Sequence, residues 1–375
     1  MPDNKKHHFV PKFYLKRFSE DRKSINAYIL KSSKKILSAN LANQCYRDYF
    51  YGKEPEFERA LGAAENQASE LLKAISETNE LPASYAERVS LQVFVMMQSA
   101  RTAQIADEID NMADQFFKHV FADKAKSEGI DIHDYQMALQ EPGRVALQLA
   151  MENYPILLDL DIRLLCNSTQ EGFITSDNPV VFFNQFMSFR AHTASAGYAS
   201  KGLQIFFPLD DKRMLCLFDG DVYRAPGKIG STLTLSDIRD VYELNKLQAC
   251  SASEVLYFRD KEQNIEALWR SARPFFREAL SSLKAYPQEA IPGERRELLM
   301  SSRVPIATGL SLSFLSVRRA ARQWREKFRR LRMQPAVVVR NEQLLREHRE
   351  FLAQVRQGAY GHQDFREFMR AKRAA

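Results

Sequence analysis

Apolar residues recur at helical spacing from Glu56 to Ser76 and again from Ser84 to Phe121, so two long helices are predicted there. Ser84-Tyr85-Ala86-Glu87 has the form of a capping box at the start of the second, a hydroxyl and a carboxylate placed to satisfy the free amides of a first turn. Pro82 and Glu128-Gly129 punctuate this layer, and Gln136 to Glu152 predicts a further helix interrupted near Pro142-Gly143. Ahead of the helices, Phe9 to Phe18 mixes aromatics with Lys and Arg. Ser24 to Leu37 then alternates enough for a short hairpin, with Ala27-Tyr28-Ile29 in one strand.

The pattern changes at Pro155. Asp161 to Asn167, Gly172 to Asn184, Leu203 to Pro208 and Arg213 to Asp219 are short apolar or alternating runs bounded by Gly, Asp and Asn, as strands of a sheet are. Helices followed by strands predict an α+β fold, a helical layer packed on a small, mostly antiparallel sheet, and not βαβ winding. Ser236 to Ser251 and Ile265 to Leu283 return to helical spacing and would cover the sheet. The expected organisation is an α+β core over 1–286, a linker over 287–303 that begins with Pro287 to Gly293, and a helical tail over 304–375. In that tail Val317, Ala321, Trp324, Phe328 and Leu331 follow steps of four and three and share one helix face, while Pro335 ends the helix and Asn341 to Arg356 predicts another.

Charge sharpens the picture of the tail. The 375 residues carry a net charge of +7, yet from Glu294 onward there are 19 Lys and Arg against 8 Asp and Glu, while the first 293 residues carry 35 against 39. The basic character therefore belongs to the tail, and Arg318, Arg319, Arg322, Arg325 and Arg329 lie off its apolar stripe as candidates for binding nucleic acid or, as the second choice, an anionic membrane surface. A charge run is equally a solvated helix face. With 45% apolar residues the chain can bury a sizeable core, and disorder throughout is excluded. Met1 to His8 is polar, and Val304 to Val317 is uncharged but too short to span a bilayer, so neither a leader nor a membrane span is expected. Cys45, Cys166, Cys216 and Cys250 lack Cys-x-x-Cys spacing and read as free thiols in a reducing compartment, which makes a cytoplasmic location the expectation.

Three constellations could carry chemistry. His8 stands in the dense segment His8-Phe9-Val10-Pro11, where an imidazole can act as general acid or base or simply hydrogen-bond to backbone. Thr175-Ser176-Asp177-Asn178-Pro179 is an abrupt polar break between apolar strand pieces. It either aims the Asp177 carboxylate and the Asn178 amide into a cleft or closes an Asx turn on itself. Gln98 and Arg101 are three apart on an apolar helix, and a buried Arg101 needs a bound anion or an ion pair with an acid such as Glu65. Glycine-rich phosphate loops, a His-Glu-x-x-His helix and paired Cys-x-x-Cys are all absent, so nucleotide folds, zincins and zinc fingers are not supported.

At His8, Pro11, Tyr14, Leu15 and Phe18 the chain resembles a widespread, mostly bacterial family catalogued as a domain of unknown function, whose members open with His-x-x-Pro-x-x-Tyr/Phe-Leu-x-x-Phe. The resemblance continues at Gln98 and Arg101, at Thr175 to Val180, at Phe207 to Leu209 and at Leu244-Asn245, and covers roughly residues 7 to 260. It implies no activity, fold or cofactor. It does imply that His8, Gln98, Arg101, Asp177 and Asn178 converge on one site.

The first functional expectation is an enzyme that cuts phosphodiester bonds, of a kind that would suit a toxin or phage-defence effector. His8 would be its acid or base, and Arg101 would stabilise phosphate charge. Asp177 with Glu65 would orient His8 or hold Mg²⁺ or Mn²⁺. The alternative is a noncatalytic module that binds nucleic acid or protein, its polar signature being a closed network that fixes the fold. An open cleft joining His8 and Asp177 favours the first, and a closed network the second.

Overall fold

The computed structural model describes residues 5–188, 196–276, 281–288, 296–303, 306–330 and 338–374. Strand β1 (Lys6–His8) leads into a single turn, α1 (Lys12–Leu15), then the hairpin of β2 (Ser24–Ile29) and β3 (Lys34–Asn40), and β4 (Tyr46–Asp48), which returns to pair antiparallel with β1. Four helices follow: α2 (Pro55–Thr78), α3 (Tyr85–Ala100), α4 (Ala103–Ser127) and α5 (Pro142–Asn153). Strands then dominate, with β5 (Asp161–Asn167), β6 (Thr175–Ser176), β7 (Val181–Phe183), β8 (Gln204–Pro208), β9 (Arg213–Phe218), β10 (Tyr223–Arg224) and β11 (Thr232–Leu235). Helix α6 (Ile238–Ser251), strand β12 (Val255–Phe258) and helix α7 (Ile265–Ala272) close this part.

Two sheets organise these elements. One runs β11-β5-β9-β8-β7, antiparallel except for the parallel pair β11 with β5, and the other runs β3-β2-β12-β6, antiparallel throughout. The expected α+β fold with a mostly antiparallel sheet is the observed one. Strands β8 and β9 read as continuous apolar runs because the larger sheet is covered on both faces. Ile205, Phe207, Leu215 and Leu217 join Leu72, Phe94 and Val95 of the helical layer, while Phe206, Cys216 and Phe218 join Val241 and Leu244 of α6.

Several expectations are corrected. The helix expected from Ser84 to Phe121 is two helices, because Thr102 turns extended at φ −77 and ψ 152 and its side chain caps Ile105 N at 3.4 Å. Ser84 is the N-cap of α3, but its side chain makes no capping hydrogen bond, so the capping box does not form. Gly172 to Asn184 is not one strand, since β6 and β7 belong to different sheets. The last expected helix stops at Ala272, where Arg273–Phe275 tightens into a 3-10 turn around Pro274. Residues expected as linker take part in a hairpin, β13 (Ser281–Gln288) with β14 (Arg296–Arg303), in register from Ser281 opposite Arg303 to Gln288 opposite Arg296.

Strand β15 (Ser316–Val317) pairs with β10 and leads into α8 (Arg319–Arg330), followed by α9 (Glu342–Arg356) and α10 (Phe365–Ala374). The apolar stripe of α8 is spent on the body: Ala321 is buried, and Val317, Trp324 and Phe328 pack beside Phe186 and Phe218 under the sheet. Leu331 and Pro335 lie outside the described residues. Arg340 fastens the following segment. It donates to Asp159 at 2.7–3.1 Å and to the carbonyls of Ile156, Tyr198 and Ser200, beside a bridge between Ser200 and Val339. His348 then hydrogen-bonds the Glu152 carbonyl at 2.7 Å, and Phe351, Phe365 and Phe368 form a small core against Leu158. Among the described residues no helix is long and apolar enough to cross a membrane.

Candidate active site

Alternation along β1 sends neighbouring side chains to opposite sides, and of the two adjacent histidines it is His7 that turns inward, with 5% of its surface exposed. Its ring stacks on Tyr51 at 5.9 Å, and its Nδ1 accepts the Tyr51 backbone N–H at 3.2 Å. That acceptor role leaves the proton on Nε2, which donates to Glu58 Oε1 at 3.0 Å. Pro55 starts α2, and Glu58 stands in its first turn, where a carboxylate is favoured by the free amides. His7 and Glu58 line an open cavity of about 240 Å³ whose walls include Tyr49, Lys53 and Arg59, with Lys53 Nζ 5.3 Å over the Tyr49 ring.

Behind this wall lies a buried relay. Two helical turns beyond Glu58, Glu65 occupies the same side of α2 and meets Arg101 Nη2 at 2.7 Å. The same Arg101 nitrogen donates to the His8 carbonyl at 2.7 Å, and Nε donates to Tyr51 Oη at 3.1 Å. Arg101 is 1% exposed and its Nη1 has no partner among the described residues. One turn earlier on α3, Gln98 donates to the Phe9 carbonyl at 3.3 Å, and its Oε1 is likewise buried without a partner. Gln98 and Arg101 thus hold the backbone of the opening segment. The ion pair with Glu65 answers the need that burial of Arg101 creates.

His8 itself is half-buried, and its Nδ1–H donates to the Gln44 carbonyl at 3.0 Å. Burial, aided by Lys12, pushes its pKa down to about 4, so the ring is neutral near pH 7. Asp177 and Asn178 close the end of β6 onto the loop after α6. The Asp177 carboxylate accepts from the backbone amides of Ser253, Glu254 and Val255 at 2.8, 2.7 and 3.3 Å, which occupies both oxygens. Burial raises its pKa to about 6 against the pull of those amides. The Asn178 amide donates to Gln104 Oε1 at 2.9 Å and the Ser251 carbonyl at 2.8 Å, while Gln248 donates to Ser176 Oγ and the Asn178 carbonyl.

The five expected site residues therefore divide. Gln98, Arg101 and the His8 backbone meet, whereas Asp177 and Asn178 are engaged with residues 251–255 and with Gln104. The expected metal pair separates in the same way, since Glu65 is given to Arg101 and Asp177 to backbone amides. Among the described residues no group of three or more His, Cys, Asp and Glu is disposed to hold a metal ion. Of the tail arginines, Arg319 and Arg322 are exposed and Arg325 is half-buried. Arg318 turns its Nε to the carbonyls of Gly220 and Tyr223, and the Arg329 side chain lies outside the described residues. His7, Glu58, Tyr51 and Lys53 were missed at the level of sequence. The signal available was the His-His pair itself, because a strand must bury one of two adjacent residues when one face is covered.

No curated protein and no solved structure matches the chain. The sequence profile of one family matches residues 6–262, more than half of the chain, and ends before α7 and everything that follows it. By that match the chain belongs to the family described as "Protein of unknown function (DUF4238)".

Proposed function

We propose that the chain cleaves phosphodiester bonds at the cavity fronted by His7 and Glu58. The observation that carries this reading is the 3.0 Å pair of His7 Nε2 and Glu58 Oε1 in the wall of an open cavity that also holds Lys53 and Arg59. Both imidazole nitrogens are engaged, so Glu58 is the group presented to substrate and His7 is its positioning residue. Glu58 takes the proton from an attacking hydroxyl, the new P–O bond forms as the bond to the leaving oxygen breaks, and the proton returns to that oxygen. Lys53 and Arg59 offset the charge that grows on the phosphoryl oxygens.

The test is cleavage of labelled RNA and DNA by purified protein, with Mg²⁺, with Mn²⁺ and with EDTA. Glu58→Gln is expected to slow cleavage by about 10²- to 10⁴-fold while leaving the fold intact by circular dichroism. His7→Gln should lower the rate and shift the pH profile. The EDTA lane decides whether a metal ion takes part.

A second reading, a noncatalytic module that binds nucleic acid or protein, is favoured by the saturated Asp177 carboxylate, which belongs to a closed network and not to a cleft. Wild-type protein that binds oligonucleotides and cuts none of them under any of these conditions would establish that reading in place of the first.

A further inference from the structure

A second concavity, of about 460 Å³, lies between α10 and the segment around Tyr85 and Leu158. Arg366, Arg370 and Arg373 project into its wall from α10, and their spacing of four and three puts them on one helix face. At a rise of about 1.5 Å per residue they form a row of positive charge about 10 Å long. None of the three takes part in an ion pair among the described residues, although Lys372 on the same helix pairs with Glu350. The guanidinium of Arg366 lies 4.9 Å from the centre of the Tyr85 ring, and Tyr85 is 51% exposed.

Two carboxylates share the wall, and both are engaged. Asp159 is held by Arg340 at 2.7 Å, and Glu347 accepts from Gln343 Nε2 at 3.0 Å. The groove therefore presents a line of uncompensated cations beside an exposed aromatic ring. A single phosphate needs convergent donors, which a row does not provide. A chain of phosphates with bases attached matches both features, the backbone on the arginines and a base on the ring.

We infer that this groove binds single-stranded nucleic acid. The site lies mostly beyond the segment that matches the family, and it stands whether or not the chain cleaves what it binds. It also differs from the basic face of α8, whose Arg318 is turned to backbone carbonyls.

The experiment is fluorescence anisotropy of short labelled oligo-U and oligo-dT with the full chain over a range of salt, without any cleavage readout. Arg366→Ala/Arg370→Ala is expected to weaken binding at least tenfold and to reduce the salt slope by about two. Tyr85→Ala should weaken it about 5- to 100-fold without changing that slope, and Tyr85→Phe should retain it. The control pair Arg319→Ala/Arg322→Ala on α8 should bind like wild type. Groove variants with unchanged affinity overturn the inference. It is also overturned if polyphosphate, an acidic peptide or anionic vesicles displace the oligonucleotide as well as unlabelled oligonucleotide does. Urea unfolding of each variant separates a lost site from a lost fold.

Discussion

Arg101 Nη2 lies 2.7 Å from Glu65 Oε1 and 2.7 Å from the His8 carbonyl, so one nitrogen joins the end of α3, the middle of α2 and the opening strand. Removing the guanidinium frees a half-exposed carboxylate, but removing Glu65 leaves a fully buried cation. Both Arg101→Ala and Glu65→Ala are expected to destabilise by about 3–5 kcal/mol, and the double variant by less than the sum. Urea titrations with unchanged m-values would check this; additive losses would mean that the two groups do not act as a pair.

Asp177 gives a different signature. Its folded pKa of about 6 lies above the ordinary carboxylate value of 3.8, so the folded state holds the extra proton between those values, and this residue's contribution to stability grows as pH falls from about 6 to about 4. Asp177→Asn turns an amide N–H towards three backbone donors and should cost about 1–3 kcal/mol at neutral pH. Comparing the two proteins from pH 4 to pH 7, the wild type's advantage should widen toward the acid end.

His8 works in the opposite direction. The fold holds its pKa at about 4, below the ordinary 6.5, so its neutral form stabilises the protein above pH 6.5 and that contribution is lost as pH falls toward 4. In His8→Gln, thermal stability should fall less steeply over this interval than in the wild type. Proton NMR of the His8 ring would show the low titration point directly.

Thiol chemistry should be slow and ordered. Burial raises the pKa of all four cysteines, with Cys216 and Cys250 deep in the fold and Cys166 only half-buried. In native protein at pH 8, Cys166 is expected to react first with an aromatic disulfide reagent, and Cys166→Ser should remove the fast phase. A fast phase that survives this substitution would show that another thiol is exposed.

The large features of this fold were legible because they rest on period. Continuous apolar runs in β8 and β9 could only be strands covered on both faces, and the switch from helices to strands at Pro155 marks a real boundary. The break at Thr102 was hidden because the apolar spacing of α3 continues into α4, and only the hydroxyl of Thr102 signals a new cap. The hairpin of β13 and β14 was hidden by Pro287 and Gly293, which read as a linker when the pairing partner is unknown. The site shows a parallel limit. Burial of Arg101 and its partner Glu65 follow from charge in an apolar helix, but the choice between His7 and His8 depends on which face of β1 is covered, and that is decided by β4 and α2.

Arg340 has a consequence for the order in which the protein can be made. Asp159 and the carbonyls of Ile156, Tyr198 and Ser200 all wait for a guanidinium that is translated well over a hundred residues after most of them. Until synthesis has passed that point, the edge of the larger sheet carries a half-buried carboxylate without its cation and carbonyls without their donor. The body of this chain therefore matures from its far end backward, and a ribosome that stops short of residue 340 releases a protein whose core is assembled and whose clasp is missing.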